Sequence, residues 1–112
     1  SEADLLFTPA TSWTADGTDT LILYVRGRAD NSPAPLYVIL EDSTGHTATV
    51  VHPGPAVLTT IPWTQWKIPL ENFAGVNAAR VRKLSLGVGD RADPKAGGRG
   101  LIYLDDLGLA KP

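Results

Sequence analysis

The 112 residues predict an all-β domain, an antiparallel β-sandwich, on three observations. Gly (11) and Pro (9) punctuate the chain about every ten residues, which cuts it into strand-length pieces. The pieces alternate apolar and polar side chains, the period of a half-buried strand. No segment carries the spacing of a long amphipathic helix, so some seven short strands must bury their apolar faces against one another in two layers.

The elements follow in order. Asp4–Thr8 is a first strand, and Trp13, followed by Thr-Ala-Asp-Gly, plugs one end of the sandwich. In Asp19–Gly27, Leu21, Leu23 and Val25 share one face while Ile22, Tyr24 and Arg26 share the other. Leu36–Glu41 repeats this, with Leu36, Val38 and Leu40 opposite Tyr37, Ile39 and Glu41. Asp42-Ser43-Thr44-Gly45 is a turn into Thr47–Val51, a hairpin that His52-Pro53-Gly54-Pro55 ends. Trp66–Leu70 is a strand in which Pro69, unable to donate to a ladder, marks an edge or a bulge. Asn77–Arg82 has room for one helical turn. Leu84–Gly89 sets Leu84, Leu86 and Val88 against Ser85, Gly87 and Gly89, and a Gly-rich charged loop leads from Asp90 to Gly100. The expected core is Leu21, Leu23, Val25, Leu36, Val38, Leu40, Trp66, Ile68, Leu84, Leu86, Val88, Ile102 and Leu104.

The last strand, Gly100–Leu109, holds the sharpest anomaly. Asp105 and Asp106 interrupt an otherwise apolar run, and buried charges are costly unless paired or metal-bound. Either the strand ends or bulges there, or one carboxylate anchors a cation or a hydrogen-bonded corner. Parity sharpens the first option. Ile102 and Leu104 have one parity, Leu107 and Leu109 the other, so both pairs face the core only if a bulge falls at Asp105–Asp106.

Composition excludes several classes. Net charge is −2 and pI about 5.5, so nothing draws the chain to nucleic acid or an anionic membrane. No apolar run approaches the ~20 residues of a membrane span. With no Cys, disulfides and thiolate chemistry are absent. His46 and His52 match no zinc spacing and are expected at the surface. Gly97-Gly98-Arg99-Gly100 lacks the Lys-Ser/Thr and following helix of a phosphate loop. No nucleophile–base motif occurs, and alternation points Asp105 and Asp106 apart, a poor acid–base pair; the chain is not expected to be an enzyme.

Thr20–Gly27, Leu36–Asp42, Trp-Thr-Gln-Trp-Lys-Ile-Pro-Leu (Trp63–Leu70), Leu-Ser-Leu-Gly-Val-Gly (Leu84–Gly89) and Ile-Tyr-Leu-Asp-Asp-Leu (Ile102–Leu107) form a succession that covers nearly the whole chain. It resembles the galactose-binding-domain-like jelly rolls, which include many carbohydrate-binding modules of bacterial extracellular enzymes and surface proteins. The resemblance implies a jelly roll, secretion to the cell surface or beyond, and binding of a polysaccharide or oligosaccharide without cleavage. It also implies a structural calcium near the end of the last strand, where Asp105 and Asp106 lie. Such modules begin with one or two strands upstream of the position matching Glu2. The chain lacks that segment and its acidic residues, so the calcium site is expected to be weak or empty. Residues 1–112 then form one domain, a short variant, a fragment or a partner to another chain, and an unpaired edge favours a homodimer.

Two sugar-binding surfaces present themselves. If the faces carrying Tyr24 and Arg26 and carrying Ser85, Gly87 and Gly89 adjoin, the small residues leave a trough beside an aromatic ring and a guanidinium. Sugars stack C–H groups on such rings and pair hydroxyls with charged groups. The competing reading covers that face with a loop and pairs Arg26 with Glu41 or another acid. Trp63 lies three residues before Trp66, so the two point to opposite faces; Trp66 belongs to the core, and Trp63 is a second platform or packs under a loop. The alternative to a sugar module is a structural or protein-interaction sandwich that recruits another chain at an exposed sheet edge.

Overall fold

The computed structural model describes residues 2–27, 35–54, 62–88 and 103–110, and for residues 2, 3, 16 and 103–107 the backbone alone. Among the described residues seven strands run antiparallel: β1 (Glu2–Thr11), β2 (Thr20–Arg26), β3 (Leu36–Asp42), β4 (Thr47–Val51), β5 (Thr64–Pro69), β6 (Val81–Val88) and β7 (Tyr103–Ala110). They form a four-stranded sheet in the order β1-β6-β3-β4 and a three-stranded sheet in the order β5-β2-β7. Every connection but the β3–β4 hairpin passes from one sheet to the other. Among the described residues, no helix is long and apolar enough to cross a membrane.

Alternation sets the core. Leu21, Leu23 and Val25 of β2 and Leu36, Val38 and Leu40 of β3 are fully buried, with Trp66, Ile68, Leu84, Leu86 and Val88 packed among them. Each such side chain contributes about 1.5–3 kcal/mol by leaving water. The expected core is thus in place wherever it is described; Ile102, Gly89 and the 90–100 loop lie outside the described residues, as does the side chain of Leu104. Trp13 plugs one end. It is buried, meets Phe7 edge to face at 5.8 Å, and donates its backbone N–H to the Ala78 carbonyl at 2.8 Å.

Three register shifts re-aim the strands. On β1, Leu6 pairs with Lys83 but Thr11 with Val81, so β1 carries extra residues between them. On β7, Leu23 pairs with Leu107 and Val25 with Leu104, so β7 spends one extra residue at Asp105–Asp106. This is the bulge the parity conflict requires. On β6, Glu41 pairs with Lys83 but Asp42 with Val81, which leaves Arg82 as the extra residue. The bulge throws Arg82 outward, where its Nη2 and Nε donate to Glu41 Oε2 at 2.6 and 2.9 Å. Glu41 is therefore the partner of Arg82, not of Arg26. The turn expected across Asn77–Arg82 shortens to a 3-10 turn at Ala78–Arg80, because ladder pairing begins at Val81. Pro69 stands at the end of β5, an edge strand, as its missing N–H requires.

Candidate functional site

The outward face of the three-stranded sheet presents the most ligand-like surface. Because Leu21, Leu23 and Val25 turn inward, Ile22, Tyr24 and Arg26 turn outward along its central strand. On β5, Trp66 and Ile68 turn inward, so Gln65 and Lys67 are exposed on that same outer face. Tyr24 pairs with Gln65 across the ladder, and Gln65 Nε2 donates to Tyr24 Oη at 2.7 Å, which holds the phenol in place. Trp63 has the parity of Gln65 and Lys67 and is 46% exposed. Trp63 directly precedes Thr64, which pairs with Val25, so it lies toward the end of the sheet where Arg26 stands. On the other flank, Gly108 of β7 pairs with Ile22, and no atom lies within 4 Å of where its Cβ would be. The face therefore combines aromatic rings, an amide and two cationic side chains, Arg26 and Lys67, with a low flank at Gly108.

The trough expected between Tyr24 and Arg26 and the Ser85–Gly87 strip does not form. Tyr24 and Arg26 belong to the three-stranded sheet, Ser85 and Gly87 to the four-stranded one. Each pair faces away from the shared core, so the two lie on opposite sides of the sandwich. Ser85 is 2% exposed, and the Tyr37 ring lies over Gly87. Parity tells which side of a strand a residue occupies but not which sheet the strand joins. Trp63, by contrast, leads into β5, the strand that pairs with the one carrying Tyr24 and Arg26.

Of the calcium candidates, Asp105 and Asp106 occupy the β7 bulge, and their side chains lie outside the described residues. Among the described residues, no three His, Cys, Asp or Glu side chains come together to hold a metal. At one end of the sandwich a cavity of about 160 Å³ is lined by Thr14, Thr18, Asp19, Pro69, Leu70 and Glu71. Its polar groups are partly engaged: the Thr18 hydroxyl donates to the Trp13 carbonyl at 2.6 Å, and Asp19 Oδ1 accepts from Thr20 at 3.0 Å.

The hydrogen-bonded carboxylate corner is Asp42, which sequence reasoning left as a turn residue. Asp42 is 1% exposed and at the core-facing parity of Leu40. Its Oδ1 accepts from the backbone N–H groups of Thr44 and His46 and the Thr44 hydroxyl, and its Oδ2 accepts the N–H of Asn77. Those donors, the Asn77 N–H foremost, hold its carboxyl well below the usual carboxylate range. One charge thus ties the β3–β4 turn to the segment entering β6. The Asp-x-Thr spacing in a turn was the available signal, because Asx side chains bond to backbone two residues on. His46 is exposed as expected, but His52 is half-buried. Its ring meets Trp66 edge to face at 4.8 Å, and burial lowers its pKa.

No protein-family model, curated protein or solved structure matches the chain, so its chemistry rests on its own residues.

Proposed function

We propose that this chain is a non-catalytic carbohydrate-binding module that holds a polysaccharide or oligosaccharide on the outward face of the three-stranded sheet. The observation that carries this reading is a Tyr24 whose hydroxyl is already fixed by Gln65, with a 46% exposed Trp63 at the entry to the strand that holds Gln65. An indole left in water is unfavourable unless something covers it, and the axial C–H face of a sugar ring suits it. A pre-positioned phenol binds with little loss of rotamer freedom. Arg26, Lys67 and Gln65 supply groups for hydroxyl or carboxylate recognition along the same face. The repeated crossing of the chain between sheets supports a galactose-binding-like jelly roll, and with it an extracellular or cell-surface setting.

The test is calorimetry against plant and algal polysaccharides, neutral and acidic. An aromatic stack contributes ~0.5–1.5 kcal/mol beyond its area, so Trp63→Ala should weaken binding about two- to twelvefold at 1.4 kcal/mol per decade. Tyr24→Ala should weaken it several-fold, while Thr49→Ala, on the opposite sheet, should leave it unchanged. The polymer should be recovered uncut. Failure of every glycan to bind, or binding indifferent to both rings, rejects the reading.

A further inference from the structure

We infer that β1 is a self-pairing edge, through which two copies of the chain join their four-stranded sheets into one continuous sheet. In the order β1-β6-β3-β4, the side of β1 away from β6 faces no described strand. Edge strands are usually blunted by shortness, Lys, Pro or a bulge. Strand β5 carries Lys67 and Pro69, and β4 is five residues long. Strand β1 is ten residues long; its register against β6 shifts between Leu6 and Thr11, around Pro9, but from Glu2 to Leu6 it pairs regularly and carries neither Lys, Pro nor a bulge.

Its exposed side chains specify the shape of what covers it. Leu5 is 46% and Leu6 71% exposed. Successive strand residues point to opposite faces, so apolar surface flanks the edge above and below the sheet. A flat partner covers one of the two. An extended strand laid alongside the edge covers both, because its own side chains alternate in the same way.

Charge and pattern favour a second copy in antiparallel array. With the two-fold axis at Leu6, that residue faces the partner subunit's Leu6, and Leu5 faces the partner subunit's Phe7. Asp4 then meets the partner subunit's Thr8, so no two acids oppose each other within the ladder. A parallel in-register pairing would stack Glu2 on Glu2 and Asp4 on Asp4, which like charges disfavour. Pro9, without an N–H, ends the ladder on each side. An antiparallel pairing of this kind has its axis normal to the sheet. Both three-stranded sheets then lie on one side, with their Trp63–Tyr24 faces directed the same way. A polymer meeting one face is held near the other, which raises avidity without new contacts. That consequence rests on the carbohydrate reading; the dimer does not.

Sedimentation equilibrium of the chain over a concentration series tests the pairing without any glycan. Wild type should shift from one chain mass to two as concentration rises. Leu6→Lys, a change at an exposed edge position, should weaken association at least about tenfold, while Val51→Lys, at the opposite edge, should not. Circular dichroism checks that both variants keep the β-sheet spectrum. Because the chain has no Cys, Leu6→Cys introduces a single thiol. Facing its own copy, it should form a disulfide-linked dimer on mild oxidation, and Val51→Cys should remain a monomer. A wild type that stays monomeric at every concentration, with no Leu6→Cys cross-link, overturns the proposal and leaves the edge to a strand of another protein. Association lost in Val51→Lys but kept in Leu6→Lys overturns it equally.

Discussion

Replacing Gly87 by Ala sets two opposing effects against each other, and the structure says which wins. Gly87 lies opposite Tyr37 in the β3–β6 ladder, and its φ is not in the left-handed region. On backbone grounds alone, Ala should therefore stabilise by ~0.4–1 kcal/mol, by restricting the unfolded chain. The Tyr37 ring reverses the sign. A Cβ at position 87 would overlap the Cζ, Oη and Cε2 atoms of Tyr37, which is 4% exposed beside an equally buried Ile39. Overpacking costs ~1–3 kcal/mol, and the overlap of three buried ring atoms belongs to the upper half of that range, so the net loss is about 1–2.6 kcal/mol. At roughly 4–8 °C per kcal/mol for a domain near this size, the midpoint of thermal unfolding should fall by at least about 4 °C. Calorimetry on Gly87→Ala measures it. Tyr37→Leu removes all three overlapping atoms, so in that background Gly87→Ala should become neutral or stabilising. An unchanged or raised midpoint in the wild-type background would refute the reasoning, as would an equal loss in both.

Two further predictions concern ionisable groups. Asp42→Asn keeps the size but turns a charged acceptor into an amide among four donors, so the variant should unfold at lower temperature near neutral pH. The Asp42 carboxyl is depressed in the fold, so its contribution is present above the unfolded value of about 3.9 and fades as pH falls toward the folded one; the gap between variant and wild type should narrow only in strong acid. His52 is also depressed, by burial. The folded state therefore takes up its proton less readily than the unfolded chain, whose histidine titrates near about 6.5. Stability should be full above that pH and decline below it, with protonation also displacing the Gly54 N–H that His52 Nδ1 accepts at 2.8 Å. Thermal scans across this range should show a shallower decline in His52→Gln; an identical slope would mean that another group controls it.

Strand alternation was legible because burial on one face leaves a period of two in the residues themselves. Leu21-Leu23-Val25 and Leu36-Val38-Leu40 need no partner to declare their inner side. The β7 bulge was legible for the same reason: a change of parity between Leu104 and Leu107 is a local contradiction with one inexpensive resolution. The Tyr24–Ser85 trough failed because it required knowing that β2 and β6 share a sheet, and nothing in either strand encodes that. His52 looked like a surface residue because its contact, Trp66, is fourteen positions away and in the other sheet.

The sequence by itself determined the class of fold, the inward and outward face of each strand, the hairpin at Asp42–Gly45 and the place of the bulge. These depend on backbone geometry and on which side chains avoid water, both properties of neighbouring residues. Only the tertiary structure decided which outward faces coincide. It placed Trp63 at the end of the sheet that carries Tyr24 and Arg26, set Ser85 and Gly87 on the far side, paired Glu41 with Arg82, and left Leu5 and Leu6 on an edge that faces no described strand. Sheet membership and strand order follow from the pairing of segments far apart in the chain, where the closing of long loops and the packing of a common core choose among arrangements that local pattern leaves equal.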